Sequence, residues 1–269
     1  MRKNSALVIG LMAGLFLIHS CTQPQPPAGS TGGAGARSAA DVYDFYPGTG
    51  YYPSGTAAEY PWQTPDGVGV EGFESYPDGA IIESSAEKGL QTHLEVTSGV
   101  LTSKYLSGGL YRRAKTETYN FRMLAQGLSG GQRVKWTDQT LKVRVYVDSW
   151  QATSSSWQGV HLFGRYRTEY NLYVASLRRD GSVVVKKVVD NVYTTLADGP
   201  FHDGSGNPRT FNTNQWYKLT LSVVGNLLTF AVDGVSQLEV TSGTFSWGTM
   251  GIRTDYANVY LDEMAVSGN

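Results

Sequence analysis

The sequence predicts an all-β domain of about 200 residues, a sandwich or barrel, behind a non-globular N-terminal segment. Three observations carry this reading. Short runs alternate apolar and polar residues with period two, turn signals separate them about every ten residues, and no long segment spaces its apolar residues helically. Composition agrees: 32 glycines and 17 tyrosines occur among 269 residues, and only 17% are charged, below the roughly 25% of an ordinary soluble domain. A formal net charge of −1 lacks the basic excess of a nucleic-acid binder, so nucleic acid is not an expected partner. The single cysteine excludes a disulfide framework and any multi-cysteine zinc or iron–sulfur site.

In chain order, residues 1–20 come first, with Arg2 and Lys3 ahead of an apolar run from Ala6 to Ile18. That run is shorter than the roughly 20 residues of a membrane span and has the layout of a secretory signal peptide. Ile18-His19-Ser20-Cys21 resembles the lipobox of bacterial lipoproteins, which implies that Cys21 becomes the lipidated first residue of the mature chain. His19 departs from the small residue usual there, and an uncleaved anchor is the alternative. Residues 21–40 are dominated by Pro, Gly, Ser and Ala and read as a flexible tether. An anchor followed by a tether predicts an exported protein held at the bacterial cell envelope. Residues 41–70 are rich in Tyr, Pro and Gly without either period, an irregular segment or a longer linker.

Residues 71–269 form the predicted sandwich. Leu141–Val147 and Trp216–Val224 alternate as half-buried strands should. Asp233-Gly234, between Leu227–Val232 and Val235–Val240, is a hairpin signal because both residues tolerate the positive φ of a type I′ turn. Asp180-Gly181 separates Tyr173–Leu177 from Val183–Val188, Gly225-Asn226 marks a further turn, and Ala257–Val266 closes the domain.

Three runs, Val160–Leu196, Asn214–Gly234 and Trp247–Val266, together resemble a concanavalin A-like lectin/glucanase domain. The likeness is to the laminin-G-like and family-sixteen-hydrolase-like domains of bacterial exported proteins. It implies a jelly-roll β-sandwich of two antiparallel sheets that binds or cleaves glycans, and fold alone does not choose between these. Related jelly rolls hold a structural calcium between their first and last strands, which implies Glu74 and Asp262 as ligands here. Ordinary surface acids are the alternative, and no other cofactor is expected. The acidic strand motif of family-sixteen hydrolases is absent. Glu117 and Glu169 have no partner in sequence, so the two flanking carboxylates of a glycosidase are missing. Arg113, Glu117 and Arg122 have the wrong spacing for the Arg/Glu/Arg strand of alginate-lyase-like jelly rolls.

The candidate site is Gln158, His161, Arg165, Tyr173 and Lys186, with Trp150 and Trp157 flanking a Ser-rich stretch. His161 and Arg165 are four apart on one strand and are expected on one face; the face of Tyr173 depends on the register of the following hairpin. Converging, this set would suit β-elimination on a uronic-acid polymer. Arg165 or Lys186 would neutralise the carboxylate, and His161 or Tyr173 would take the α-proton. Used for binding alone, it would hold the same acidic glycan. Trp216 and Trp247 read as structural, His93 and His202 as isolated, and Arg178, Arg179, Lys186 and Lys187 as a solvated strand edge or an acidic-glycan contact. The leading expectation is therefore a lipid-anchored polysaccharide-binding domain. The alternatives are a polysaccharide lyase, with a hydrolase behind it, and a sandwich that binds other proteins.

Overall fold

A computed structural model describes residues 70–71, 73, 79–85, 92–106, 111–116, 120–127, 135–151, 155 and 157–268. The expected signal peptide, Cys21, the expected tether, most of 41–70 and Glu74 lie outside these. Sixteen strands occur among the described residues. The first seven are β1 (Val70–Glu71), β2 (Ser84–Ser85), β3 (Thr92–Ser98), β4 (Leu101–Leu106), β5 (Tyr111–Thr116), β6 (Asn120–Gly127) and β7 (Gln139–Trp150). There follow β8 (Gly159–Thr168), β9 (Asn171–Arg178), β10 (Ser182–Val189), β11 (Val192–Pro200) and β12 (Trp216–Val224). The last are β13 (Leu227–Val232), β14 (Val235–Thr241), β15 (Thr249–Asp255) and β16 (Ala257–Gly268).

Two antiparallel sheets result. The first runs β14-β13-β12-β7-β16-β5-β4, with β1 also on β16; the second runs β11-β10-β9-β8-β15-β6-β3-β2. The chain passes between the sheets at β1–β2, at β3–β4, at β5–β6–β7–β8, at β11–β12 and at β14–β15–β16, so the central neighbours, such as β7 with β16 and β8 with β15, are distant in sequence. This is a jelly-roll sandwich, as the sequence predicts.

Alternation sets what each sheet buries. Leu141, Val143, Val145 and Val147 of β7 face Val160 and Leu162 of β8, Ala175 and Leu177 of β9, and Ile252 of β15 in one continuous core. Turn chemistry sets register. Asp233 and Gly234 take φ of 52° and 80° between β13 and β14, the type I′ geometry expected of that pair. Asp190-Asn191 does the same between β10 and β11, with φ of 48° and 67°.

Close approach fixes several glycines, Gly251 among them. On β15, a Cβ at Gly251 would strike the Leu124 side chain and the Met123 carbonyl of β6. Gly251→Ala is therefore expected to cost about 1–3 kcal/mol in denaturant unfolding. Gly199→Ala, where a Cβ meets nothing within 4 Å, should change stability by less than about 0.5 kcal/mol.

Candidate functional site

The second sheet has two apolar faces. Its inner face belongs to the core, while Leu124, Phe163, Tyr166, Leu172 and Val188 form a separate apolar cluster, with Val174 packed beside it. One irregularity in β8 shapes this outer face. Thr249 pairs with Tyr166 but Gly251 with Phe163, so β8 carries one extra residue there, a β-bulge. Arg165 sits in the bulge at φ 43°. Without the bulge, Arg165 would project beside His161 and Phe163. With it, Arg165 turns into the sandwich end, and Tyr166 takes the outer position and stacks on Phe163 at 5.6 Å between centroids.

A cavity of about 210 Å³ lies on this outer face. Its apolar floor is Phe163, Tyr166, Leu172 and Val174, and Trp157 and Tyr193 stand at its margin, 45% and 56% exposed. Four cations, Arg122, Arg178, Lys186 and Arg253, line it with two carboxylates, Glu169 and Asp255. The cations divide into two kinds. Arg122 meets Glu169 at 3.4 Å, and Arg253 Nε donates to Asp255 at 2.7 Å. Arg178 and Lys186 form no ion pair among the described residues, and the buried Arg178 Nε has no hydrogen-bond partner among them. Burial, with Arg178 nearby, holds the Lys186 ammonium below the ordinary lysine range. Lys186 also lies 5.9 Å from the centre of the Tyr193 ring.

Across the sheet, His161 pairs with Ser176 on one side and Arg253 on the other. His161 Nδ1 is 2.8 Å from Ser176 Oγ, and Nε2 is 3.3 Å from Asp255 Oδ2. Burial alone would raise the Asp255 carboxyl. Hydrogen bonding and charge from His161 and Arg253 outweigh it and hold the group below the usual carboxylate range. Its stabilising contribution is thus complete above about pH 4 and lost as pH falls through the folded-state value. Acid unfolding of Asp255→Asn, followed by circular dichroism, should show a shallower loss of stability below that pH than the parent.

The structure divides the sequence-predicted residues. His161, Lys186 and Trp157 line the cavity. Arg165 and Tyr173 do not: Arg165 corrects the expectation that it shares a face with His161, and Tyr173, whose face the sequence left open, points into the core. Arg165 is 2% exposed and is bound by backbone carbonyls. Tyr173 is fully buried; its hydroxyl donates to Ser242 O at 2.9 Å and accepts from Phe245 N at 3.1 Å. The β-elimination set of His161, Arg165 and Tyr173 is therefore not assembled. Gln158 is buried and accepts from Arg179 at 3.0 Å, and Trp150 packs edge-on against Phe211 at 5.7 Å. Neither reaches the cavity lining.

The remaining candidates are placed one by one. Trp216 lies on the outer face of the first sheet with Arg144 5.1 Å from its ring centre, and Trp247 is 36% exposed between Arg167 and Lys135, so neither is core. His202 bonds its own loop through Asp203 O at 2.9 Å. Asp262 is buried on β16, and its implied calcium partner Glu74 is outside the described residues, among which no three His, Cys, Asp or Glu converge as a metal site. Sequence reasoning missed Arg253, Asp255, Ser176, Phe163 and Tyr193 as site residues. The signal for two of them is the alternation Gly251, Arg253, Asp255, whose inward partners Met250 and Ile252 are core.

No protein-family model and no curated protein matches the chain. Solved structures similar to it include the carbohydrate-binding module CBM66 from Bacillus subtilis, at TM-score 0.48 and 13% identity, covering 65% of this chain and 95% of that one. Domain 4 of AbnA, a GH43 extracellular arabinanase from Geobacillus stearothermophilus in complex with arabinotriose, matches at TM-score 0.45 and 12% identity, over 72% and 94% of the two chains. The galectin LEC-6 of Caenorhabditis elegans matches at TM-score 0.39 and 18% identity, over 56% and 92%. No residue role is carried from these proteins to this chain.

Proposed function

We propose that this protein binds an anionic polysaccharide in the outer-face cavity of the second sheet, and that it does so as an exported lipoprotein tethered through Cys21. One observation carries the binding reading: Arg178 and Lys186 line the cavity without a carboxylate partner among the described residues, above an apolar floor. Sugars present C–H faces that pack on aromatic and aliphatic surface, and uronate or sulfate groups take charge-assisted hydrogen bonds from guanidinium and ammonium. Trp157 and Tyr193 at the margin supply the aromatic surface. An anionic group seated against Arg178 and Lys186 would relieve their mutual repulsion, which a neutral sugar cannot do.

Isothermal titration with oligoglucuronate, a sulfated oligosaccharide and a neutral glucan of equal length tests this. Binding of at least one anionic ligand, weakening as salt rises, is the expected result. Equal affinity for the neutral glucan, or no binding of any of the three, overturns it. The lipoprotein reading has its own test, since metabolic labelling with a clickable fatty acid should mark the parent and not Cys21→Ser.

A further inference from the structure

The contacts of His161 exceed what a sugar-binding side chain needs. Nδ1 meets Ser176 Oγ on β9, whereas the buried Nε2 makes no hydrogen bond among the described residues and faces Asp255 on β15 as its nearest charge; all three residues line the cavity. The carboxylate beside Nε2 favours the tautomer with its proton there, leaving Nδ1 to accept from the Ser176 hydroxyl. The file thus runs carboxylate, imidazole, hydroxyl across three adjacent strands, the order that activates a serine. At 3.3 Å Asp255 is close enough to His161 Nε2 but too poorly aligned for a hydrogen bond, a geometry common in catalytic contacts that tighten only when a ligand binds. Arg178 is two residues from Ser176 on β9 and so on the same face. Arg178 and Asp255 both pair with Gly159, which puts no side chain between them.

We propose that Ser176, His161 and Asp255 form a nucleophilic relay and that the protein hydrolyses an acyl ester, of which an O-acetyl group on the bound glycan is the simplest case. The glycan as carrier rests on the binding reading above; the relay does not. Ser176 Oγ attacks the ester carbonyl carbon while its proton passes to His161 Nδ1. Arg178 Nε donates to the oxyanion of the tetrahedral intermediate. The acyl carbon–oxygen bond to the sugar breaks, and the sugar oxygen leaves with the proton from Nδ1. Water then adds to the acyl-serine, giving its proton to Nδ1, and carboxylic acid departs as Ser176 regains its hydrogen. One ester and one water yield one alcohol and one acid, with no other reactant. Asp255 acts as a positioning residue that fixes the imidazole.

The test uses the full chain with p-nitrophenyl acetate, an O-acetylated oligouronate and a fluorophosphonate probe. Expected are a probe adduct mapped by mass spectrometry to Ser176, release of nitrophenolate and acetate, and loss of both in Ser176→Ala. Asp255→Asn should lower kcat about 100-fold or more and displace the pH–rate profile, which a purely structural role would not. Absence of the adduct in the parent protein, or turnover unchanged in Ser176→Ala, overturns the relay. If glycan binding persists in that case, the binding reading stands. Turnover of p-nitrophenyl acetate without affinity for any anionic glycan overturns the binding reading and leaves the relay.

Discussion

Arg165→Met is expected to lower stability by about 3–5 kcal/mol, the range for breaking a buried charged network. The guanidinium is the largest fully buried side chain in the sandwich, and its donors are spent on three separate loops. Nε and Nη2 bond Thr137 O at 3.0 and 2.8 Å, Nη1 bonds Phe245 O, and Nη2 also reaches Gly225 O. These carbonyls precede β7, follow β12 and precede β15, so one side chain ties together one end of both sheets. Methionine fills comparable space but leaves the carbonyls without their buried donors. Lysine keeps the charge and loses the planar fork, so Arg165→Lys should recover only part of the loss. Urea unfolding measures both, and a cost under about 1 kcal/mol for Arg165→Met would show that the loops hold themselves. Because the side chain lies outside the cavity, whatever Arg165→Met protein remains folded in the cold should bind anionic glycan with parental affinity.

Lys186→Glu should do the opposite. Affinity for an anionic glycan is expected to fall by about 10–150-fold, corresponding to the loss of one hydrogen bond to a charged group. Stability should hold or rise, because the substitution replaces a cation depressed by burial and, less, by Arg178 with that arginine's counterion. Opposite signs for binding and stability are the mark of a residue retained for a ligand and not for the fold. Calorimetric titration and thermal unfolding of the same sample read both. A parallel fall in the two would make Lys186 a structural residue.

How much of this was legible depends on which physical rule each feature obeys. Strand positions follow from period-two alternation, and the Asp233-Gly234 hairpin from the scarcity of residues that tolerate positive φ, so both could be read locally. Strand β11 was missed because its residues are largely exposed and leave no apolar alternation. The Asp190-Asn191 turn before it lacks the glycine that drew attention to the other hairpins. The site was only half legible. His161, Lys186 and Trp157 were found by residue type, whereas the face of Arg165 is decided by one inserted residue opposite β15, a relation between strands far apart in sequence. A bulge reverses every face assignment beyond it, and nothing in Gly164-Arg165-Tyr166 alone announces one. The face of Tyr173 stays open in the sequence for a related reason. Its register on β9 is set by the paired residues of β8, and its hydroxyl is satisfied by Ser242 and Phe245, about 70 residues downstream. Asp255 and Ser176 gain meaning only when β15 and β9 flank β8.

The most direct test of the account is amide chemical-shift mapping of the labelled protein during titration with an anionic oligosaccharide. Shifts concentrated on β8, β9, β10 and β15, centred on His161, Ser176, Lys186 and Arg253, with the Trp157 indole moving in step, are predicted. Shifts confined to the first sheet, around Tyr146, Trp216 and Tyr260, would contradict it.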